Sequence, residues 1–282
     1  MKMKEWVASY SSCQGGSPSK SAIWLVDILW HWPKGYAQTD EDRDIQISAH
    51  LNSGVLDSIK NGFCPPHDHR FDLTDRLRRP SSLNSTKLIS TIMGSSVEEY
   101  PLFVAFSKNT DIFKLNLYPI SLPSTEPSLW DKYSLAGITG ISTRHEFEEY
   151  CARYRFPFFR SELEKHEPSV ILCIGLTYLE QFERCFCDNG GESQLNREVI
   201  TDTYSPKNSE PRDLYWKWLN EKTLFVAVPF MTDSSGLNSD NLLQQFGDRI
   251  KSILLEKDID LTNFRKRRKS PRAAKAVTPR AK

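Results

Sequence analysis

A chain of 282 residues with 39% hydrophobic side chains is long enough to bury one sizeable core, while its formal charge of +1 conceals a division. Of its 37 basic residues nine fall in residues 264 to 282, which hold no acid, so the remainder carries 28 bases against 36 acids and a net charge of −8. A body of that charge cannot draw in nucleic acid by its general surface, and no stretch reaches the length of a membrane span.

Residues 3 to 12 read as a short amphipathic helix, ended by Gly15-Gly16-Ser17-Pro18. Ala22 to Ile28 is an apolar run and the first expected buried strand, followed to about residue 82 by a segment rich in Trp, His, Pro and charge. Helical patterning resumes through Met93 and again from Val97 to Lys108, and Ile112 to Leu117 is the second strand. After a Pro-rich loop, Thr143 and Glu146 have capping-box spacing at the head of a helix ending near Arg155, with a second helix expected from Phe158 to His166. Pro168 opens the third strand, Ser169 to Ile174, which stops at Gly175 and leads to a helix from Thr177 to Phe186. Residues 188 to 222 read as a polar insertion containing Trp216-Lys217-Trp218. Thr223 to Val228 is the fourth strand, its loop runs from Pro229 to Ser239, and a last helix spans Asp240 to about Glu256.

Four short apolar runs separated by helical segments too long for hairpins predict an α/β fold: a single domain over residues 1–263 with a four-stranded parallel sheet flanked by helices on both faces. Residues 264–282 are expected to be a disordered basic tail. The six cysteines, at 13, 64, 151, 173, 185 and 187, show no framework spacing. The N-terminus also lacks the apolar core of a signal peptide. A cytoplasmic protein is expected, nucleoid-associated if bacterial.

In a parallel sheet Asp27, Asn116, Gly175 and the 229–239 loop share the carboxyl edge, where open α/β sheets bind ligands. Asn116 interrupts an apolar strand just before Tyr118-Pro119, which places an amide at a strand end; capping of a turn is the plainer role for it. Asp27 is the one carboxylate of the first strand segment and His31 a nearby donor. Trp30, Trp32 and Tyr36 offer either a stacking wall for an extruded base or further core.

The order of these motifs resembles the uracil-DNA glycosylase superfamily. A strand with an acidic and aromatic loop comes first, then a strand ending Leu-Asn-Leu-Tyr-Pro, a strand ending Ile-Gly, and a strand leading through Val-Pro-Phe to a Gly-Leu-Asn-Ser turn. The likeness covers about residues 22 to 256. It implies a DNA glycosylase that removes a flipped base and leaves an abasic site. By position Asn116 matches the base-binding Asn, with Trp30 and Tyr118 beside it, and Pro229 matches the Pro of a minor-groove loop whose turn supplies Asn238 and Ser239. Leu29 stands where the family has its acid, and Val228 and Phe230 stand where it has His and Ser. Chemistry at Asp27 and His31, or loss of activity, are the two consequences. The departure of the first loop points to a modified pyrimidine rather than uracil, in keeping with defence against phage carrying modified DNA. The alternative is an inactive glycosylase fold that binds DNA or regulates.

DNA, duplex or single-stranded, is the expected partner, with Arg265, Lys266, Arg267, Arg268 and Lys269 as its electrostatic tether; a solubilising end or a localisation signal has the same composition. No protein partner and no cofactor is inferred. Cys64-Pro-Pro-His67-Asp68-His69 lacks a second ligand pair for zinc, so no metal is expected. The glycine-rich run at 15–21 precedes its strand and is not a phosphate loop, and no serine-hydrolase elbow is present.

Overall fold

The computed structural model describes residues 3–13, 15–28, 39–61, 80–101, 111–120, 122, 124, 126–187, 194–202 and 210–262. Six strands form one mixed sheet in the order β2-β1-β3-β6-β5-β4. They are β1 (Ile23–Asp27), β2 (Ile112–Asn116), β3 (Val170–Ile174), β4 (Asn196–Ile200), β5 (Arg212–Trp218) and β6 (Leu224–Val228). The four expected strands are all present and mutually parallel, while β5 runs antiparallel to β6 and β4 antiparallel to β5.

The expected four-stranded sheet is therefore corrected to a mixed sheet of six, because the supposed polar insertion supplies a hairpin. In β5 Leu214, Trp216 and Trp218 alternate toward the core while Asp213 pairs outward with Arg197 of β4. Such half-buried strands lack the continuous apolar signature that a strand covered on both faces must have.

Alternation along the central strands divides the core in two. Trp24, Val26, Phe113, Leu115, Ile171, Cys173 and Phe225 face one side. That side is covered by α1 (Met3–Val7), α2 (Asp40–Ala49), α3 (Leu56–Asn61), α7 (Arg144–His166) and α8 (Leu179–Phe186). Ile23, Leu25, Ile112, Val170, Leu172, Leu224 and Val226 face the other, under α4 (Pro80–Ile92) and α9 (Asp240–Leu255). Two short helices, α5 (Ser128–Lys132) and α6 (Leu135–Thr139), occupy the stretch expected to be a loop. No helix among the described residues is long and apolar enough to cross a membrane.

Two helical expectations change. The capping box is present, with Thr143 Oγ1 accepting from the Glu146 amide and Glu146 accepting from the Thr143 amide, both at 3.2 Å. The helix it starts does not stop near Arg155 but continues through Pro157 to His166. Proline removes one helical donor, and the buried side chains on both sides of it, Phe156, Phe159 and Leu163, keep the same helix face on the core. Residues 40 to 61 are also helical, with Ile47, Leu51, Val55 and Ile59 buried at four-residue spacing and a π-helical stretch at His50–Val55.

Arg155 on α7 is completely buried and joins three parts of the chain. Its guanidinium donates to the carbonyls of Val7, Ser9 and Ser11 at 2.7–3.0 Å and to those of Asn116 and Leu117 at 3.0 Å, besides the Ser11 hydroxyl at 3.0 Å. No carboxylate is among these partners. The charge is instead solvated by main-chain oxygens and by the Phe159 ring, 4.5 Å from the guanidinium carbon. Gly15 and Gly16 continue this N-terminal segment along β2, where the Lys114 amide donates to the Gly15 carbonyl at 3.0 Å. A Cβ on Gly16 would lie 2.0 Å from the Ile112 carbonyl oxygen, so the glycine pair serves close backbone approach.

Candidate functional site

The chain leaves β1 to form β2 on one flank and returns to form β3 on the other, so the switch point of the parallel sheet lies at the carboxyl end of β1. A cavity of about 280 Å³ opens at this edge. Its walls are the ends of β1 and β3 (Asp27, Ile28, Ile174), Lys114 of β2, Ser81, Ser82 and Ser85 at the start of α4, and Phe230 to Asp233 after β6. Hydroxyls, the Asp233 carboxylate and the charges of Asp27 and Lys114 stand beside apolar side chains, a mixture common to small-molecule clefts.

Asp27 is the charged centre of this cavity. One of its carboxylate oxygens lies 2.7 Å from Lys114 Nζ, and the two side chains are 24% and 12% exposed. Asp27 pairs in register with Asn116, which puts Lys114 two residues upstream on the same face of β2. A lysine in a strand otherwise buried is costly without such a partner.

The loop after β6 is rigidly held over the cavity. Asn84 of α4 donates to the carbonyls of Met231 and Leu237 at 2.7 and 3.2 Å, and Arg212 of β5 donates to those of Ser234 and Gly236 at 2.7 and 3.2 Å. Phe230 packs on the end of β3. Gly175 has φ +107°, and a Cβ there would fall 2.6 Å from the Phe230 ring, so glycine is required for this ring to occupy its place. Tyr178 meets Phe230 edge to face, with centroids 6.0 Å apart.

The sequence-based site residues separate into those the fold gathers and those it does not. Asp27 borders the cavity. Asn116 does not: it is fully buried, and its amide nitrogen donates to the Ser12 carbonyl at 3.3 Å. The expectation that both side chains face one cleft is thus corrected. They share a register position, but the N-terminal segment bound by Arg155 and Gly15 covers Asn116. Tyr118 lies under the opposite face, bordering a different cavity, where burial pushes its phenol well above its ordinary value. Pro229 is buried, Ser239 caps α9 by accepting from the Leu242 amide at 3.2 Å, and Asn238 is exposed with its amide on the Asp233 carbonyl. Leu29, Trp30, His31, Trp32, Tyr36, the Cys64 to His69 cluster and Arg265, Lys266, Arg267, Arg268 and Lys269 lie outside the described residues.

Lys114 and the α4 serines were missed by sequence reasoning. Lys114 carries a usable signal, being the charge at the centre of Ile-Phe-Lys-Leu-Asn. The serines carry none, since only tertiary packing brings the start of α4 to the end of β1.

Comparison with protein-family models gives no match for this chain, and comparison with curated proteins gives none either.

Proposed function

We propose that this chain hydrolyses the N-glycosidic bond of a modified pyrimidine extruded from DNA, with Asp27 as the carboxylate facing the sugar. One observation carries the reading: a carboxylate at the switch point of the sheet borders a small cavity and is ion-paired to Lys114. Breaking the bond builds positive charge on the sugar and negative charge on the leaving base. Asp27 opposes the first charge and orients the water, whose hydroxyl joins the sugar carbon as the C–N bond breaks and whose proton ends on the departing base. Lys114 and the serine hydroxyls supply donors toward the second. The volume of about 280 Å³ lies just below the usual ligand-cleft range of roughly 300–1,000 Å³, which fits one extruded ring. In this reading base recognition falls to the cavity wall rather than to Asn116. An antiviral role against modified phage DNA accords with the family resemblance.

A second reading, a glycosylase fold that binds DNA without cleaving it, is favoured by the engaged Asn116 amide and by Phe230 packed over Gly175. The test is incubation of the full chain with duplex and single-stranded DNAs carrying different modified pyrimidines, followed by alkaline cleavage of abasic sites. Wild type yields product on at least one substrate, and Asp27→Asn lowers the rate by about a hundredfold to a thousandfold while leaving DNA affinity unchanged. Full activity in Asp27→Asn rules out its role; absence of product from wild type on every substrate selects the second reading.

A further inference from the structure

Hydrolysis at the Asp27 cavity leaves an abasic sugar, and the open form of that sugar carries an aldehyde at C1′. An aldehyde is a substrate for an amine. Lys114 is the one amine on the wall of this cavity among the described residues. Its root is fixed on both flanks, since Lys114 pairs in register with Leu25 of β1 and its amide donates to the Gly15 carbonyl at 3.0 Å. Its side chain is neither sealed in the core nor free in solvent. Lys222 and Lys257, by contrast, meet Glu167 and Glu221, carboxylates exposed on the surface.

An ion pair drawn this far out of water contributes little net stability, so a brace for the sheet is a poor account of Lys114 and Asp27. Reaction accounts for both. A lysine must lose a proton before it can attack carbon, and the Asp27 carboxylate, 2.7 Å from Nζ, is placed to take it.

We infer that Lys114 gives this cavity a second activity, cleavage of the DNA strand at the abasic site; the inference rests on the glycosidic reading for the origin of that sugar. Asp27 takes one ammonium proton, which frees the Nζ electron pair to bond C1′. The aldehyde oxygen receives a second proton from the nitrogen and then the one held by Asp27, and leaves as water to give an iminium. Asp27 next takes a proton from C2′. The electron pair so released forms the C2′–C3′ double bond, the C3′–O bond breaks, and the phosphate departs with its pair and the proton from Asp27. Water splits the iminium and restores the Lys114 ammonium, so no oxidant or reductant enters.

The test supplies the abasic site ready-made, as duplex and single-stranded DNA bearing one aldehydic abasic deoxyribose, with sodium cyanoborohydride present to reduce the iminium to a stable amine. The full chain becomes covalently joined to the DNA, and peptide mass spectrometry puts the link on Lys114. Without the reductant the same DNA is cut on the 3′ side of the site. Lys114→Arg, which keeps a cation beside Asp27 but cannot form this adduct, loses both the adduct and the cut. The position of the link in the wild-type chain decides the matter even if that variant does not fold. Three results overturn the inference: no covalent product on either DNA; a link at another amine, the tail lysines included; or an equal yield from folded Lys114→Arg. Base release from modified DNA is scored separately, so a chain that releases base without forming the adduct refutes only the strand cleavage. One that forms the adduct without releasing any base refutes only the glycosidic reading.

Discussion

Arg155 shows how a single charge can be held without a carboxylate partner among the described residues. Five main-chain carbonyls and a hydroxyl surround its guanidinium, and burial lowers its pKa from the ordinary arginine value. Arg155→Met removes every one of these donors at once. Each buried acceptor left unsatisfied costs about 1–3 kcal/mol, partly relieved by water, so a loss of about 3–5 kcal/mol in unfolding free energy is expected. Urea denaturation measures it, and a loss below about 1 kcal/mol would show that the carbonyls find other donors. Asp27 and Lys114 work on a different principle. Each is only partly screened from solvent, and their ion pair leaves both charges at a cavity wall rather than sealed in the core.

At the scale of elements, the packing of α4 against α9 depends on Gly247. A Cβ there would lie 1.6 Å from Thr91 Oγ1 and 2.5 Å from its Cβ. Alanine favours a helix over glycine by about 1 kcal/mol, whereas overpacking costs typically 1–3 kcal/mol, so Gly247→Ala is expected to lower stability despite its better propensity. A thermal melt that rises in the variant would show that the helices separate without penalty. The hairpin is tied to the same helix by Arg249, whose guanidinium donates to both carboxylate oxygens of Glu198 at 2.6 Å. That pairing holds the Glu198 carboxyl below its ordinary 4.5. A depressed carboxyl contributes stability that is full above the unfolded value and is lost as pH falls through the folded one. Glu198→Gln should therefore be less stable than wild type at neutral pH, with the gap closing below about pH 4.5. Parallel stability curves over that range would remove Glu198 from the acid limb. These elements also show what sequence can and cannot display. The four parallel strands are legible because burial on both faces demands unbroken apolar runs such as Val170 to Ile174. The hairpin hides because Asn-Arg-Glu-Val-Ile has one face in water, and α7 reads as two helices because Pro157 is a stronger local signal than the packing that overrides it.

For the whole molecule, position within the sheet mattered more than residue type. Asp27 and Asn116 were both legible as strand-end polar groups, but their separation was not, since it depends on a main-chain segment from the N-terminus lying over Asn116. Charge division gives the remaining expectation. Deleting residues 264 to 282 removes nine positive charges from a chain of net +1 and leaves a body of net −8. Each phosphate that the tail no longer neutralises should reduce the slope of log affinity against log salt by roughly 0.9 on duplex DNA, so a tail that neutralises about four phosphates is readily measured. An unchanged slope in the truncated chain would place DNA attraction elsewhere. The Arg155 junction has a further consequence, for timing. Its hydrogen bonds join groups 144 to 148 residues apart at the N-terminal end, so during synthesis the carbonyls of Val7, Ser9 and Ser11 emerge well before the arginine that binds them. Trp6 and Val7, buried in the finished core, must wait with them. Closing a loop of that length is entropically costly, so residues 3–11 are expected to join the core only when α7 is in place.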